Sequence, residues 1–400
     1  MVSKKPEFET SSALPRSAAN DEAVRCTVIR GGTSRGLFFH EQDLPSDPAQ
    51  RDRVIMGAVG APDPRHVDGL GGGDMLLSKV AIVARSARTN ADVECEFANI
   101  TPGKGRPSWG TNCGNLVPAV ALFAAEERLV AMGGGAPVVR IWNRNSDSVI
   151  EARFSAVNGE QKECFRLAGM PDTGVCVDLD FVEPVGASQS LLLPTGNARD
   201  TIRLQDGRSV DVSVVDAGAL YVFVTAGNLG LTATETGKQL ASIEGAFDDL
   251  EFLRASVARL IGLVEKVADA TVLTPDVPKL AIVGPPANYR YEGSSNEILA
   301  ESCDLVSRII SSQKYHKAYA VTGAIATAAA ASIEGSTVHE AVGDRVSSGL
   351  QEIRIGHPSG VLACAVETRI SDGSHDIAFA RIKRTARRVS QGTVFVPRLT

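Results

Sequence analysis

The alternation of apolar and polar residues predicts a mixed α and β chain that begins with a pair of strands. Two β-type runs surround the glycines of residues 28–39, and a helix is predicted within residues 43–60, where Asp47-Pro48 suits a first helical turn. An Ala-rich stretch predicts a second helix over residues 115–130. Further strands are predicted at residues 78–86, 91–100, 137–150 and 160–165.

The second half of the chain repeats this order of elements. A glycine-broken strand pair (214–224) precedes a long amphipathic helix (248–268) and a strand (278–286). Residues 317–335 then predict a strand, a glycine turn and an Ala-rich helix, and residues 352–397 are mostly strands. We therefore predict an internal duplication that gives two similar α+β lobes, with a ligand cleft between them.

Composition and charge narrow the class of protein. Of 400 residues, 44% are hydrophobic and 22% are charged, which is typical of a globular protein. The net charge of −6 disfavours binding to duplex nucleic acid or to an anionic membrane surface. An anionic substrate therefore needs a local positive patch that works against the overall charge.

The cysteines and the N-terminal residues indicate the cellular compartment in which the protein is expected. Seven cysteines are scattered without a CxxC pair, which predicts a reducing compartment with neither a disulfide framework nor a zinc cluster. No apolar run approaches ~18 residues and no apolar core follows the first lysines, so we expect neither a membrane span nor a secretory leader. The expected location is the cytosol.

The segment TNCGN (111–115) is the first candidate for chemistry. Cys113 stands at a helix start, where free backbone amides and the helix dipole favour a thiolate. Asn112 and Asn115 can add hydrogen bonds, and Gly114 lets a ligand approach the backbone. The alternative is that Cys113 is a small buried apolar side chain, as most free cysteines are.

Two further candidates carry positive charge. Lys79 enters the apolar strand that continues through residues 80–83, and it is either a partly buried acid/base group or a solvated lysine on an edge strand. Thr33, Ser34 and Arg35 lie in a glycine-rich turn, where a guanidinium fork and two hydroxyls suit a carboxylate. The alternative for the latter group is a solvated turn.

The second Ala-rich helix offers a matching start at Thr322, Gly323 and Ala324. If the lobes face each other, two helix N-termini point at one site and form an anion pocket. His357 and Ser359 lie in a tight turn, where His357 is an acid, a base or a hydrogen-bonding turn residue. No HExxH or GxGxxG motif supports a metal or nicotinamide site.

Eight motifs follow one another over about residues 27–397: IRGGTSRGLFF, GLGGGDMLLSKVAIV, TNCGN, VDAG, PKLAIVGPP, TGAI, IGHPSGVL and RTARRVSQGTVFVP. Together they resemble the PrpF family, which includes 2-methylaconitate isomerase, methylitaconate delta-isomerase, oxalomesaconate tautomerase and aconitate delta-isomerase. The resemblance implies an α+β diaminopimelate-epimerase-like fold. Its two pseudo-symmetric lobes are each a mixed barrel-like sheet around a central helix, with the active site in the cleft between them.

The resemblance also implies the limits of the lobes. Residues 1–22 fall outside the resemblance, and their Ser, Ala, Pro and charged residues without a period predict a disordered tail. Residues 23–188 form the N-terminal lobe, completed by a C-terminal strand at 386–400, and residues 189–385 form the C-terminal lobe.

The family's proton-transferring residues fall on Lys79 and Cys113. Thr322-Gly323 stands where diaminopimelate epimerase has its second cysteine, so an asymmetric Lys/Cys pair is expected. The implied activity is cofactor-independent isomerisation of an aconitate-type tricarboxylate through a delocalised carbanion, with neither metal nor organic cofactor. Which residue abstracts the proton stays open.

Two alternatives remain at this point. One is a keto–enol tautomerase of the oxalomesaconate type, and the other is a non-catalytic tricarboxylate-binding protein. The expected partner is a small tricarboxylate, with no nucleic acid and no membrane, and the resemblance allows a homodimer.

Overall fold

The first part of the chain is built mainly from strands. The structure is a computed structural model and describes residues 21–109, 113–131, 137–157, 160–161, 166–184, 191–291, 297–343, 349–371 and 374–397. Its early strands are β1 Asp21–Gly31, β2 Ser34–His40, β3 Lys79–Arg85, β4 Val93–Asn99, β5 Val138–Asn143, β6 Ser148–Phe154, β7 Ala156–Val157, β8 Glu160–Gln161 and β9 Val175–Val182. The helices among them are α1 Pro48–Val59 and α2 Val117–Glu126.

The second part adds the remaining strands and helices. The strands are β10 Asp200–Arg203, β11 Ser209–Asp216, β12 Leu220–Thr225, β13 Lys279–Gly284, β14 Tyr289–Arg290, β15 Glu297–Ile298, β16 Leu305–Ser311, β17 Lys314–Tyr315, β18 Leu350–His357, β19 Gly360–Ser371 and β20 Ser374–Pro397. The helices are α3 Gly237–Ser242, α4 Ala246–Leu260, α5 Ala270–Leu273, α6 Val321–Ala331 and α7 Thr337–Val342.

One large mixed sheet contains most of these strands. Its order is β1-β2-β3-β4-β5-β6-β9-β20-β19-β18-β16-β13-β12-β11-β10, with β17 on β16. Since β1 also pairs with β20, strands β1–β6, β9 and β20 close on themselves; we call them the first strand set. Strands β10–β13 and β16–β20 form the second strand set, so the long strand β20 belongs to both.

Each strand set surrounds one apolar helix. Helix α2 packs against β1, β5, β9 and β20, and α6 packs against β11, β18 and β19. All eleven residues of α6 are buried, as are the first eight of α2. A helix that is apolar all round is stable only inside a core, which explains why both Ala-rich sequences became central helices.

The predicted first helix is confirmed and its ends have a clear local cause. The side chain of Asp47 accepts a hydrogen bond from the amide of Gln50 at 2.8 Å, and Pro48 occupies the first helical position. Gly60, with φ of 88°, ends α1 in the left-handed conformation. Helix α1 covers the outer face of the first strand set through Val54, Ile55 and neighbouring apolar residues.

Several expectations from the sequence need correction. The predicted tail overlaps β1 at Asp21 and Glu22, while residues 1–20 lie outside the described part. The C-terminal strand does pair with β1, over residues 386–397. The long helix predicted over 248–268 ends at Leu260, and residues 317–320 do not form the predicted strand. The predicted strand at 160–165 is described only for β8; the rest lies outside the described residues.

The cysteines differ from the expectation at one position. Cys176, buried in β9, is disulfide-bonded, although the scattered cysteines predicted no disulfide framework. Five others in the described residues are free thiols: Cys26, Cys95, Cys113, Cys303 and Cys364. None of the helices in the described ranges combines the length and the apolar character that crossing a membrane requires.

Candidate active site

A cavity of about 340 Å³ lies where the starts of the two central helices meet. Cys113, Gly114 and Asn115 line it just before α2, and Ala320, Val321 and Thr322 line it at the start of α6. The predicted convergence of two helix starts on one site is therefore present in the structure. Helix starts carry amides without partners inside the helix, so they favour bound anions.

The close approach of the helices depends on Gly114. A β carbon added at Gly114 would lie 2.7 Å from Cβ and 2.8 Å from Cγ1 of Val321, the first residue of α6. Real β carbons essentially never approach heavy atoms so closely. Glycine is thus required here for contact between two backbones.

Cys113 directly precedes Gly114 at this contact between the helix starts and is only 6% exposed. Its carbonyl accepts the amide of Leu116 at 3.0 Å, which begins the turn that leads into α2. Neither Gly114 nor Asn115 donates its amide to a backbone carbonyl in the described part of the chain. Amides at the start of a helix can bind an anion.

Lys79 enters the cavity from the first residue of β3. Its Nζ donates to Oδ1 of Asn99 at 2.6 Å, and the two residues are cross-strand partners in the β3–β4 pair. A neutral amide leaves the charge of the lysine uncompensated, so its ammonium form can still attract a carboxylate.

A second lysine occupies the corresponding place in the second strand set. Lys279 is the first residue of β13, and β12–β13 is a parallel pair, as β2–β3 is for Lys79. Burial lowers the pKa of Lys279, while Asp276 and a thiolate at Cys113 act in the opposite direction. Lys279 and Cys113 line the same cavity.

The charges around the cavity differ from those of the whole protein. Four lysines line it, namely Lys79, Lys279, Lys314 and Lys317, against two aspartates. Both aspartates have local partners: Asp74 pairs with Lys317 at 3.1 Å, and Asp276 accepts from the hydroxyl of Ser312. This is the local positive patch that a protein of net charge −6 needs to hold a polyanion.

His316 adds a neutral donor beside the lysines. Burial lowers its pKa to about 4, and the charges of Lys279 and Lys79 contribute in the same direction. Its Nδ1 accepts the amide of Ala318 at 3.2 Å, so the proton of the neutral ring resides on Nε2. The ring can therefore donate a hydrogen bond at neutral pH without adding charge.

Two buried oxygens at the cavity have no hydrogen-bond partner within the described residues. They are Oγ of Ser34 and Oδ1 of Asn115, in residues that are 1% and 5% exposed. Buried polar atoms usually have partners, so an orphaned pair in a cavity indicates a place for a ligand.

Six of the predicted site residues line the cavity: Ser34, Lys79, Cys113, Gly114, Asn115 and Thr322. Asn112 lies outside the described residues. Six others do not line it: Thr33, Arg35, Gly323, Ala324, His357 and Ser359.

Arg35 is the most consequential of these corrections. It follows Ser34 at the start of β2, and successive strand residues point to opposite faces, so only one of the two can face the cavity. The guanidinium of Arg35 donates to the carbonyl of Leu70 at 3.2 Å instead. Thr33 lies in the turn before β2, and it is buried outside the cavity.

At the start of α6, fewer of the predicted residues line the cavity than expected. The amide of Ala324 donates to the carbonyl of Ala320 at 2.9 Å, so it is not free for an anion. A β carbon added at Gly323 would lie 2.7 Å from Cδ1 of Ile309 and 2.9 Å from the hydroxyl of Tyr221. Of the predicted trio, only Thr322 reaches the cavity.

The turn that holds His357 supports the site from a distance. Nδ1 of His357 accepts the amide of Ser359 at 3.2 Å, and Ser359 donates its hydroxyl to the carbonyl of Lys317 at 2.5 Å. Burial lowers the pKa of His357, and the charges of Arg384 and Arg308 add to the effect. His357 is therefore a neutral turn residue that helps to position the segment carrying Lys317.

Sequence reasoning missed Lys279 and His316. The signal for Lys279 was visible, since SKVAIV at 78–83 and PKLAIV at 278–283 place a lysine before similar apolar strands. His316 follows the short strand β17 and belongs to no motif, so only the fold reveals it. Among the described residues, no group of three or more His, Cys, Asp or Glu is placed to hold a metal ion.

The architecture is that of a known class of isomerases and epimerases. A solved structure of methylitaconate-delta-isomerase matches with a TM-score of 0.78 and 34% identity, over 95% of this chain and 97% of that one. A hydroxyproline epimerase from Agrobacterium vitis, 12% identical, matches with a TM-score of 0.54 over 94% and 93%, a likeness of fold alone. The mixed α+β fold with a large mixed sheet agrees with the expected fold class.

The family model described as PrpF protein matches residues 22–397, and the chain belongs to this family. It is 35% identical to a 3-methylitaconate isomerase of Eubacterium barkeri, over 93% of this chain and 97% of that protein. It is 33% identical to a 2-methyl-aconitate isomerase of Shewanella oneidensis and to a 4-oxalomesaconate tautomerase of Pseudomonas putida, each over 94% and 97%.

These similarities confirm the expected family and show that the protein is an isomerase. The alternative of a non-catalytic binding protein is not favoured.

Proposed function

We propose that this isomerase moves or reorients the double bond of an aconitate-type tricarboxylate, by removing an allylic proton and returning one elsewhere. The observation that carries the proposal is the cavity itself, where Lys79 and Cys113 line one space with two helix starts and three further lysines. Three carboxylates require several cations and free amides at short range, and this cavity offers both.

The residues divide into two tasks. Lys79 and Cys113 exchange protons with carbon as general acid and base. The amides of Gly114 and Asn115, together with Lys279 and Nε2 of His316, hold carboxylates and stabilise the charge that spreads into one of them after proton removal. No change in the number of atoms or electrons of the substrate results, because the proton that leaves one carbon is replaced at another.

The proposal includes the arrangement of the chain in two lobes. Each lobe contributes one helix start and one lysine to the cleft. The lobes are residues 23–188 with the C-terminal strand, and residues 189–385. The positions of Lys79 and Lys279 at the first residues of β3 and β13 support this relation. The substrate then contacts both lobes at once, with no metal or organic cofactor required by the proposed proton transfers.

Proton NMR in deuterated water tests the proposal. Separate incubations with cis-aconitate, 2-methylaconitate and oxalomesaconate should show a new alkene isomer and deuterium at the carbon that regains a proton for at least one of the first two. Turnover of oxalomesaconate alone would replace the proposal by the tautomerase reaction. Failure of all three would overturn the tricarboxylate assignment.

A matched variant separates the enzyme from background exchange. Cys113→Ala removes one proposed proton-transfer group without enlarging a core side chain, and it should lose deuterium incorporation at equal protein concentration. Full deuterium incorporation by this variant would show that Cys113 takes no part in the proton transfers.

A further inference from the structure

The cavity has a buried end and an open end. Cys113 and Thr322, at the two helix starts, are 6% and 2% exposed. The side chains of Lys317 and Asp74, which line the same cavity, are 68% and 31% exposed, so they mark the end that opens to solvent. A ligand that places its first carboxylates at the helix starts therefore brings its last carboxylate towards this open end.

Lys317 and Asp74 connect the two strand sets across the open end. Nζ of Lys317 lies 3.1 Å from Oδ2 of Asp74. Asp74 belongs to the segment that leads into β3 of the first strand set, whereas Lys317 follows β17 of the second. Among the cavity lysines in the described part of the chain, Lys317 is the one that forms an ion pair with a carboxylate.

We propose that Lys317 binds the third carboxylate of the substrate and that Asp74 positions it for this task. An ammonium group has three N–H donors, and Asp74 accepts a hydrogen bond from one of them. Two donors are left for a ligand, so a substrate carboxylate can join the pair without displacing Asp74. The inference rests on the proposed function and deepens it, because it makes these two residues determinants of selectivity for tricarboxylates over dicarboxylates.

Asp74 is held in place by its own turn. Its Oδ1 accepts the amide of Leu76 at 2.8 Å, and its carbonyl accepts the amide of Leu77 at 3.0 Å. Oδ2 is thereby left to face Lys317. Burial acts to raise the pKa of Asp74, but the hydrogen bond from Leu76 and the contact with Lys317 outweigh it and lower the pKa, so the group is a carboxylate at neutral pH.

The main chain around Lys317 is also fixed by hydrogen bonds. Its carbonyl accepts the hydroxyl of Ser359 at 2.5 Å, and the amide of the next residue, Ala318, donates to Nδ1 of His316 at 3.2 Å. A long lysine side chain loses conformational freedom when it binds a ligand. The ion pair with Asp74 restricts that side chain before the ligand arrives, which reduces the entropy lost on binding.

Isothermal titration calorimetry with two ligands measures the selectivity. Propane-1,2,3-tricarboxylate and pentanedioate share a five-carbon chain, and pentanedioate lacks the central carboxylate, so it can fill the buried end and leave the open end empty. Lys317→Met should reduce the ratio of the tricarboxylate affinity to the dicarboxylate affinity by about fivefold, the upper range for an exposed ion pair.

The matched control is Lys314→Met, which removes the same charge from an exposed position of the same cavity. It should weaken both ligands by similar factors and change the affinity ratio by less than about twofold, because solvent and salt screen an exposed charge. An unchanged ratio in Lys317→Met, or an equal fall of the ratio in both variants, would overturn the assignment.

Asp74→Glu tests the positioning role at constant charge. The longer side chain moves the carboxylate outward by one methylene group, so the affinity ratio should fall by about twofold or more. In the background of Lys317→Met the same substitution should leave the ratio unchanged. A wild-type ratio in Asp74→Glu, or an effect that persists without Lys317, would contradict the positioning role.

The same titrations separate this inference from the proposed function. Both side chains lie at the surface, so we expect the variants to fold, which circular dichroism checks. Tricarboxylate binding by the wild type without the expected differences among the variants would overturn the role of Lys317 and Asp74 alone. A wild type that binds no tricarboxylate would overturn the proposed function together with this inference.

Discussion

Replacing Gly114 with Ala tests the junction that creates the cavity. The added β carbon would lie 2.7 Å from Cβ of Val321, whereas carbon atoms pack best at about 3.5–4.0 Å. Restoring ordinary contact therefore requires the two helix starts to separate by about 1 Å. Overpacking of this kind costs about 1–3 kcal/mol of unfolding free energy. A displacement of that size near reacting groups can reduce turnover by about 10²-fold.

Urea unfolding and steady-state kinetics measure the two effects separately. Gly105→Ala is the matched control, because a β carbon there meets nothing within 4 Å, and it should change neither quantity. In the background of Val321→Gly, which removes the clashing side chain, Gly114→Ala should cost less unfolding free energy than in the wild type. If Gly114→Ala has full stability and full activity, the contact between the two helix starts is wrong.

Further outcomes are expected at the other residues of the site. Lys79→Ala and Cys113→Ala should each reduce turnover by at least ~10²-fold, with folding intact by circular dichroism. Full activity in either variant would show that the replaced residue takes no part in the proton transfers. Arg35→Lys should leave KM within about twofold of the wild-type value, because Arg35 binds the carbonyl of Leu70 outside the cavity. A tenfold rise in KM would show that Arg35 binds substrate. Since His316 titrates in the folded state at about pH 4, below its ordinary value of 6.5, stability should fall as pH drops from 6.5 towards 4, and His316→Asn should flatten that slope in urea titrations. Activity should survive exhaustive chelation, and its loss with recovery on one specific metal would contradict the proposed proton transfers.

The sequence predicted most of the elements around the site because their patterns are local. The Asp47-Pro48 start of α1 and the apolar run of β3 each depend on neighbouring residues. The Ala-rich helices were also predictable, since their lack of a polar face indicates a core position. Their ends were less certain: α2 begins at Val117 rather than Asn115, because residues 114–116 form a turn first.

The composition of the cavity was harder to predict because it depends on contacts between distant residues. Ser34 and Arg35 are adjacent in sequence, yet strand geometry brings only Ser34 to the cavity. Arg35 was therefore a misleading candidate for the main cation. Lys279 lines the cavity because it begins β13 of the parallel pair β12–β13, as Lys79 begins β3 of the parallel pair β2–β3. His316 lines the cavity because the segment after β17 lies beside both lysines.

A crystal structure with propane-1,2,3-tricarboxylate tests the central claim most directly. This saturated analogue has three carboxylates and no double bond to move, so it should remain unchanged in the site. We expect it between the starts of α2 and α6, with carboxylate oxygens on Lys79, Lys279 and the amides of Gly114 and Asn115. An analogue bound elsewhere on the protein, with the space between the two helix starts empty, would contradict the account.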